Sequence, residues 1–166
     1  MSGTVSSYSV KSSITCSTSL AVVLMTDRVV FARISAASIS VEECVAAVEH
    51  AAAGAIVTFA GIVRNHDGGR AVLSLVYEAH PSASEVIAGV ARAVVVEFES
   101  VTIAVEHRSG SLTVGETALA CAVASAHRTE AFAACARLVD LVKEQVPMWK
   151  LQRFADGEEE WVAAHG

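Results

Sequence analysis

Pro147 constrains this chain more than any other single residue. The sequence has only two prolines, and this one closes a long helix-period segment, 129-TEAFAACARLVDLVKEQV-146. A proline ring has no N–H to give and collides with the carbonyl four residues back, here that of Lys143, so the helix must end before it. The next segment, 148-MWKLQRFADG-157, belongs to a different element. The junction is also where the scarce lysines gather. The chain has three, and two of them, Lys143 and Lys150, flank Pro147.

Projected at about 100° per residue, the helix carries Glu130, Arg137, Asp140 and Glu144 on a polar stripe. Phe132, Cys135, Ala136, Val139 and Val146 form the stripe expected to face the core. Lys143 belongs to neither polar neighbour group: it lies about 60° from Asp140, toward the apolar side. A lone lysine there is ordinarily a snorkelling side chain. Two ammonium groups delivered to one spot are a different matter, because unpaired like charges repel unless an anion lies between them. At the other end of the helix, His127 and Arg128 open the first turn, where the dipole and the unpaired N–H groups disfavour cations unless an anion is bound. A solvated Arg128 is the plain alternative. Arg64 ends the apolar run 56-IVTFAGIVR-64, just before Asn65 and His66. If Arg64, Arg128, Lys143 and Lys150 converge, they make a phosphate- or carboxylate-binding cavity in a chain of net charge −6.

The remaining segments mix helix and strand signals. The run 28-RVVFARI-34 reads as a first strand. Ser40 and Glu43 make a capping box for a helix over 41–53, with Gly54 placed to end it. Next, 54-GAIVTFAGIVR-64, the turn 65-NHDGGR-70 and 72-VLSLVYEAH-80 read as a β-hairpin. Pro81 precedes Ser82 and Glu85, a second capping box, and a helix over 86–98. Strands over 101–108 and 116–126 flank SGSLTVG, read as a turn, and pair with each other. No regular element is assigned beyond residue 147. Glu158, Glu159 and Glu160 read as a solvated charge run, and Trp161 as a packing anchor for the C-terminal end. About three helices with antiparallel hairpins make the fold class α+β. The expected organisation is a disordered Ser/Thr-rich extension over residues 1–27 and one domain over 28–166.

Several functions are set aside on composition and motif. With 53% apolar and 18% charged residues, the chain is that of a compact protein rather than a disordered one. Its acidic balance argues against nucleic-acid binding. The longest apolar runs fall well short of the roughly 20 residues that span a bilayer. The four cysteines show no CxxC pair and no zinc spacing, which points to free thiols in a reducing cytoplasm. The sequence has no P-loop, dinucleotide fingerprint, HExxH or nucleophile elbow, and neither metal nor cofactor is expected.

Five elements, in order, resemble the large subunit of molybdopterin synthase: 54-GAIVTFAGIVRNH-66, 77-YEAHPSA-83, 107-HRSGSLTVGE-116, 125-SAHRTEAF-132 and 143-KEQVPMWK-150. The resemblance spans about residues 28 to 162 and implies an α+β hammerhead fold and a large-subunit homodimer. It implies a small ubiquitin-like partner, giving a heterotetramer, whose C-terminal Gly-Gly thiocarboxylate enters a pocket holding cyclic pyranopterin monophosphate. Two sulfur transfers then build the molybdopterin dithiolene of the molybdenum cofactor. Carried onto this sequence, the substrate-binding residues are Ile62, Val63, Arg64, His127, Arg128, Lys143, Lys150, Leu151 and Gln152, with His127 and Arg128 expected to serve the partner protomer's pocket. Lys143 and Lys150 are the implied catalytic pair. Two positions depart from the family pattern: Ile62 stands where many relatives have lysine, and Gln152 where many have an acidic residue. Two other readings compete: a non-catalytic module binding a phosphorylated metabolite in the same basic pocket, and a structural partner lending a sheet edge, with its basic residues dispersed.

Overall fold

Residues 28–163 are described by the computed structural model of the chain; the extension expected over residues 1–27 falls outside them. In chain order the elements are β1 (Val29–Ser35), α1 (Val41–Val48), β2 (Ala55–Ile62), β3 (His66–Asp67), β4 (Arg70–Ala79), α2 (Ala83–Glu97), β5 (Thr102–Arg108), β6 (Gly110–Thr113), β7 (Thr117–Ser125), α3 (Arg128–Gln145), β8 (Met148–Phe154) and β9 (Glu159–Ala163). The first sheet has the order β1-β5-β7-β2, with β1 parallel to β5 and the other pairs antiparallel. The second runs β3-β4-β8-β9, with β6 also paired to β4.

Strand alternation on β7 explains how three helices cover the first sheet. Side chains on a strand point alternately to its two faces. Leu119, Cys121 and Val123 enter the core that α2 and α3 close, beside Ile87, Val94, Leu138 and Val142. Ala120, Ala122 and Ala124 face the other way, against Cys44 and Val48 of α1. Alanine at each of those positions lets α1 lie close to the sheet. A smaller core, containing Val63, Val72, Leu75, Leu112, Ala118 and Phe154, fastens the second sheet to the first.

The α+β expectation with three helices holds, and the two long helices lie where the sequence places them. Several local expectations are corrected. The segments 54–64 and 72–80 do not form a hairpin: β2 pairs with β7 in one sheet, and β4 belongs to the other. The crossing is at Val63, whose N–H donates to the Glu116 carbonyl (3.0 Å) and whose carbonyl accepts from Gly115 (2.9 Å). Only the two-residue β3 folds back on β4, over Gly68 (φ 54°) and Gly69 (φ 81°), the left-handed turn that Asp-Gly-Gly predicts.

Helix α1 starts as expected, with the Ser40 hydroxyl accepting from the Glu43 N–H (3.2 Å), yet it stops at Val48. Residues 49–52 are exposed, so further turns would bury nothing. Gly54 therefore does not end the helix. Its N–H donates to the Ser125 carbonyl (3.0 Å) at the start of the β2–β7 ladder. Ser82 does not cap α2; it makes no cap bond to the helix and lies 2.8 Å from Nδ1 of His80 instead. The expected turn SGSLTVG contains β6, paired with Ser74–Tyr77.

On α3 the buried face is Ala131, Ala134, Cys135, Leu138, Leu141 and Val142. Phe132 is 63% exposed and Ala136 is exposed as well: the helix packs by its small residues, so the large ring is the wrong guide to its inner face. The tail also folds. Strands β8 and β9 pair with each other, Trp161 is exposed rather than packed, and the acidic run is tied down through Arg70 to Glu158 and Glu160 and through Arg153 to Glu159. Cys44, Cys121 and Cys135 are buried and free; Cys16 lies outside the described residues.

Gly54 offers a direct check of this architecture. A Cβ on it would lie 2.4 Å from the Ala126 carbonyl oxygen, a backbone atom that cannot move without disturbing the β7-to-α3 junction. Gly54→Ala should destabilise the fold by about 1–3 kcal/mol, the usual cost of overpacking, as read by urea denaturation.

Candidate functional site

A cavity of about 500 Å³ opens where the two sheets meet the C-terminal end of α3, a size that suits one small-molecule ligand. Its walls come from four places: the end of β2 and the following segment, the inner face of β4, the ends of β5 and β7, and the α3-to-β8 corner. Arg64, Lys143 and Lys150 all line it. Three of the chain's few basic side chains thus share one cavity, which the dispersed arrangement does not allow.

Each cation arrives by its own route. Lys143 is exposed in the last turn of α3, where a cation suits the negative end of the helix dipole. Lys150 is presented by β8 on the inward side between the buried Met148 and Gln152, and its side chain is 22% exposed. Arg64 comes from the link between β2 and β3 and is 67% exposed. Ile62 and Val63 precede it, the first at 47% exposure and the second a buried part of the wall.

Between these cations sits a carboxylate that no sequence motif singles out. Asp67 Oδ2 accepts from Gln152 Nε2 at 2.7 Å and lies 3.5 Å from Lys150 Nζ, while its other oxygen is 3.5 Å from an Arg64 nitrogen. The Gln152 amide bond, followed by the charges of Lys150 and Arg64, holds Asp67 below the ordinary carboxylate range. The chain itself supplies the anion that separates Arg64 from Lys150. In sequence Asp67 reads only as a turn former, and nothing local marks it. Its register opposite Arg70 on β4, beside β8, could be known only from the fold.

His107 opens the element 107-HRSGSLTVGE-116 but is not among the expected site residues. It lines the cavity at the end of β5, packs edge-on to Tyr77 with ring centroids 5.1 Å apart, and lies 2.9 Å through Nδ1 from the Arg108 carbonyl. A carbonyl can only accept, so Nδ1 carries the proton. Burial chiefly, and the charge of Lys143 secondarily, push its pKa down, while the carbonyl bond opposes them. A neutral imidazole therefore forms part of the wall near neutral pH.

Three of the expected site residues lie elsewhere. Leu151 follows Lys150 on a strand and so points to the opposite face, where its neighbours across the ladders are Val76 and Trp161. His127 and Arg128 are exposed at the N-terminal end of α3. Arg128 and Lys143 are fifteen positions apart along the helix, roughly 22 Å at the rise of an α-helix. Within one chain these two residues cannot join the other cations. Among the described residues no group of His, Cys, Asp and Glu is arranged to hold a metal ion.

Comparison with known proteins agrees with this geometry. Residues 34–145 match the family model described as MoaE protein. The molybdopterin synthase catalytic subunit of Nostoc sp. is 37% identical over 132 residues, 78% of this chain and 80% of that protein. Molybdopterin synthase catalytic subunit 1 of Mycobacterium tuberculosis is 36% identical over 133 residues, 80% of this chain and 90% of that protein. The crystal structure of molybdopterin synthase from Staphylococcus aureus superposes with a TM-score of 0.74 at 30% identity, covering 79% of this chain and 96% of that one. A shared fold, a family match across most of the described residues and a basic cavity built at the α3-to-β8 corner converge on one conclusion: the chain belongs to the MoaE protein family.

Proposed function

We propose that this chain is the catalytic subunit of a molybdopterin synthase. In this reading it moves sulfur from the C-terminal thiocarboxylate of a small ubiquitin-like subunit onto cyclic pyranopterin monophosphate, building the dithiolene of molybdopterin. The observation that carries the reading is the joint presence of Arg64, Lys143 and Lys150 on one cavity of a protein whose net charge is −6. Cations gathered on one concave wall raise the local potential for anions, and a pair of anionic reactants gives that arrangement its use. The relatives' name, catalytic subunit, fits a chain that works with a companion.

The chemistry is governed by charge. As the thiocarboxylate sulfur bonds to a pterin side-chain carbon, the oxygen on that carbon leaves with the electron pair. Water then cleaves the acyl–sulfur bond to leave sulfur on the pterin and a carboxylate on the tail. An ammonium fixed nearby stabilises the negative charge that develops on oxygen. Lys143 takes this role as the leading catalytic group, and Lys150 supports it by charge and proton transfer. Arg64 binds phosphate through its planar fork, flanked by Ile62 and Val63, with Gln152 beneath. Sulfur is carried in on the partner's tail, in keeping with a cavity whose lining includes no cysteine among the described residues. His127 and Arg128 serve the pocket of a second copy of the chain, in a homodimer that binds two small subunits. Leu151, on the outer face of β8, fits contact with a protein partner better than contact with the pterin. No helix among the described residues is long and apolar enough to cross a membrane, and the cytoplasm is the compartment this reading expects.

Reconstitution tests the proposal. The full chain, mixed with its thiocarboxylated small subunit and cyclic pyranopterin monophosphate, should form molybdopterin. Lys143→Ala should lower kcat by about 10²-fold or more, the scale for removing a charge-stabilising donor. Full activity in that variant would sink the catalytic assignment, and pterin binding without turnover in the unmodified chain would favour the binding-module reading.

The shared-pocket assignment has its own check. Lys143→Ala and Arg128→Ala proteins should each be inactive. A re-associated equal mixture should recover about a quarter of the unmodified activity, because half the dimers hold one intact pocket. No recovery would overturn the shared-pocket assignment, and full activity in Arg128→Ala alone would place Arg128 outside the site.

A further inference from the structure

The proposed sulfur-transfer chemistry gives the carboxylate of Asp67 no part, yet it sits among the groups that the proposal uses. We infer that Asp67 is a positioning residue: anchored by Gln152, it holds Lys150 and Arg64 on one wall of the cavity and yields them to an entering anion. The inference rests on the proposed sulfur-transfer reading for its effect on turnover, and on geometry alone for its effect on anion binding.

The three contacts of Asp67 are unequal in a telling way. The bond from Gln152 is short, 2.7 Å, and its donor is 96% buried, since Gln152 is only 4% exposed. That amide has no solvent to turn to, so it fixes the carboxylate. Both cations stand farther off, at 3.5 Å, beyond the 2.7–2.9 Å of a tight charge-assisted bond. They are held in place without being locked. A phosphate or carboxylate entering the cavity can take over both at closer range, and the anchored Asp67 stays behind.

A purely local role for the side chain does not account for this. Gly68 and Gly69 supply the positive φ values of the turn, and the pairing of Asp67 with Arg70 is through the backbone. The Asp67 side chain is free of turn duties and reaches instead to β8. Among the described residues it is also the only acidic side chain lining the cavity. A carboxylate in an anion site weakens ground-state binding of the substrate, so its presence needs a compensating gain. Holding Lys150 at a defined point of the wall is such a gain, because misplacement of a catalytic group by about 1 Å can cost about 10²-fold in rate.

The contact between Asp67 and Gln152 supplies a stringent test, since a negative charge moved from one residue to the other stays beside Lys150. Asp67→Asn keeps the size and the acceptor but removes the charge. In the reconstituted enzyme kcat should fall by about tenfold or more while KM for the pterin stays level or drops, the pattern of lost positioning rather than lost binding. Asp67→Asn combined with Gln152→Glu should restore kcat to within about threefold of the unmodified enzyme. Binding of inorganic phosphate, measured by calorimetry on the full chain, should tighten about twofold or more in Asp67→Asn, as removal of a neighbouring like charge requires.

A kcat in Asp67→Asn within about twofold of the unmodified value overturns the inference, as does a raised KM at constant kcat. So does a folded double variant that recovers nothing. If the double variant does not fold, the single variant's kcat and KM and its phosphate affinity decide the matter. Unchanged or weaker phosphate binding also overturns it. No turnover by the unmodified chain would strike the proposed function, and the phosphate measurement would still judge Asp67.

Discussion

The two-faced burial of β7 is the constraint on which the rest of the structure depends. Every residue from Ala118 to Ser125 is buried, and the strand is hydrogen-bonded on both edges, to β5 and to β2. A strand so enclosed must satisfy two packing partners at once. It does so with larger side chains toward α2 and α3 and alanines toward α1. Its ends then set the functional geometry. At one end Ala118 and Leu119 form part of the cavity wall. At the other, Ser125 passes the chain into α3, its hydroxyl donating to Glu130 (2.8 Å) in the first helical turn. Because α3 is anchored there and packed along its length, the distance from β7 to Lys143 is set by a rigid rod rather than by a loop.

Charge is handled differently in the two halves of the molecule. Behind the first sheet, Glu106 of β5 is 1% exposed and receives Arg33 Nε at 2.6 Å, and Arg33 also reaches Glu43 of α1 at 2.6 Å. Those short contacts make a fixed pair that joins β1, β5 and α1. Nearby, burial first and Glu106 second push the Cys44 thiol up to about 12, so it remains a protonated, inert core residue. In the cavity the ion pairs are longer, at 3.5 Å, which keeps the cations available. Similar residue types build a structural clamp in one place and an exchangeable site in the other, and the difference lies in distance.

Much of this was legible in the sequence, and the illegible parts have physical causes. The 3.6-residue pattern located α2 and α3, and the capping serine placed the start of α1. Strand partners were not legible, because pairing is decided between segments: β2 reads as well against β4 as against β7 until the Val63 crossing is known. β8 escaped notice because Lys150 and Gln152 occupy inward positions where a strand normally shows apolar residues. The positions proposed to serve the site thus erased the alternation that would have revealed their strand. Lys143 and Lys150 stood out through their scarcity and Pro147. Asp67 did not, since an Asp before Gly-Gly already has a sufficient local explanation. Adjacency misled for Leu151, which strand geometry turns away from the residue beside it.

The corner at Pro147 shows why the two lysines belong on different elements. Helix α3 ends at Gln145 and β8 begins at Met148, so only Val146 and Pro147 make the turn. Val146 and Met148 are both buried, at 3% and 2% exposure, and the Pro147 carbonyl accepts from the His80 N–H (3.1 Å) just past the end of β4. The corner is therefore pinned on the inside by two core side chains and on the outside by a backbone bond. Had both lysines stood on one helix, seven residues would have set them about 10 Å apart along one face, aimed in parallel. Breaking the helix lets one lysine come from its last turn and the other from the adjoining wall, so that both face a common space. Sites built on packed helices and strands hold their geometry better than sites on loops. Arg64, on the connection between β2 and β3 and 67% exposed, has more freedom, which suits the phosphate-binding part proposed for it rather than one that holds a reacting atom.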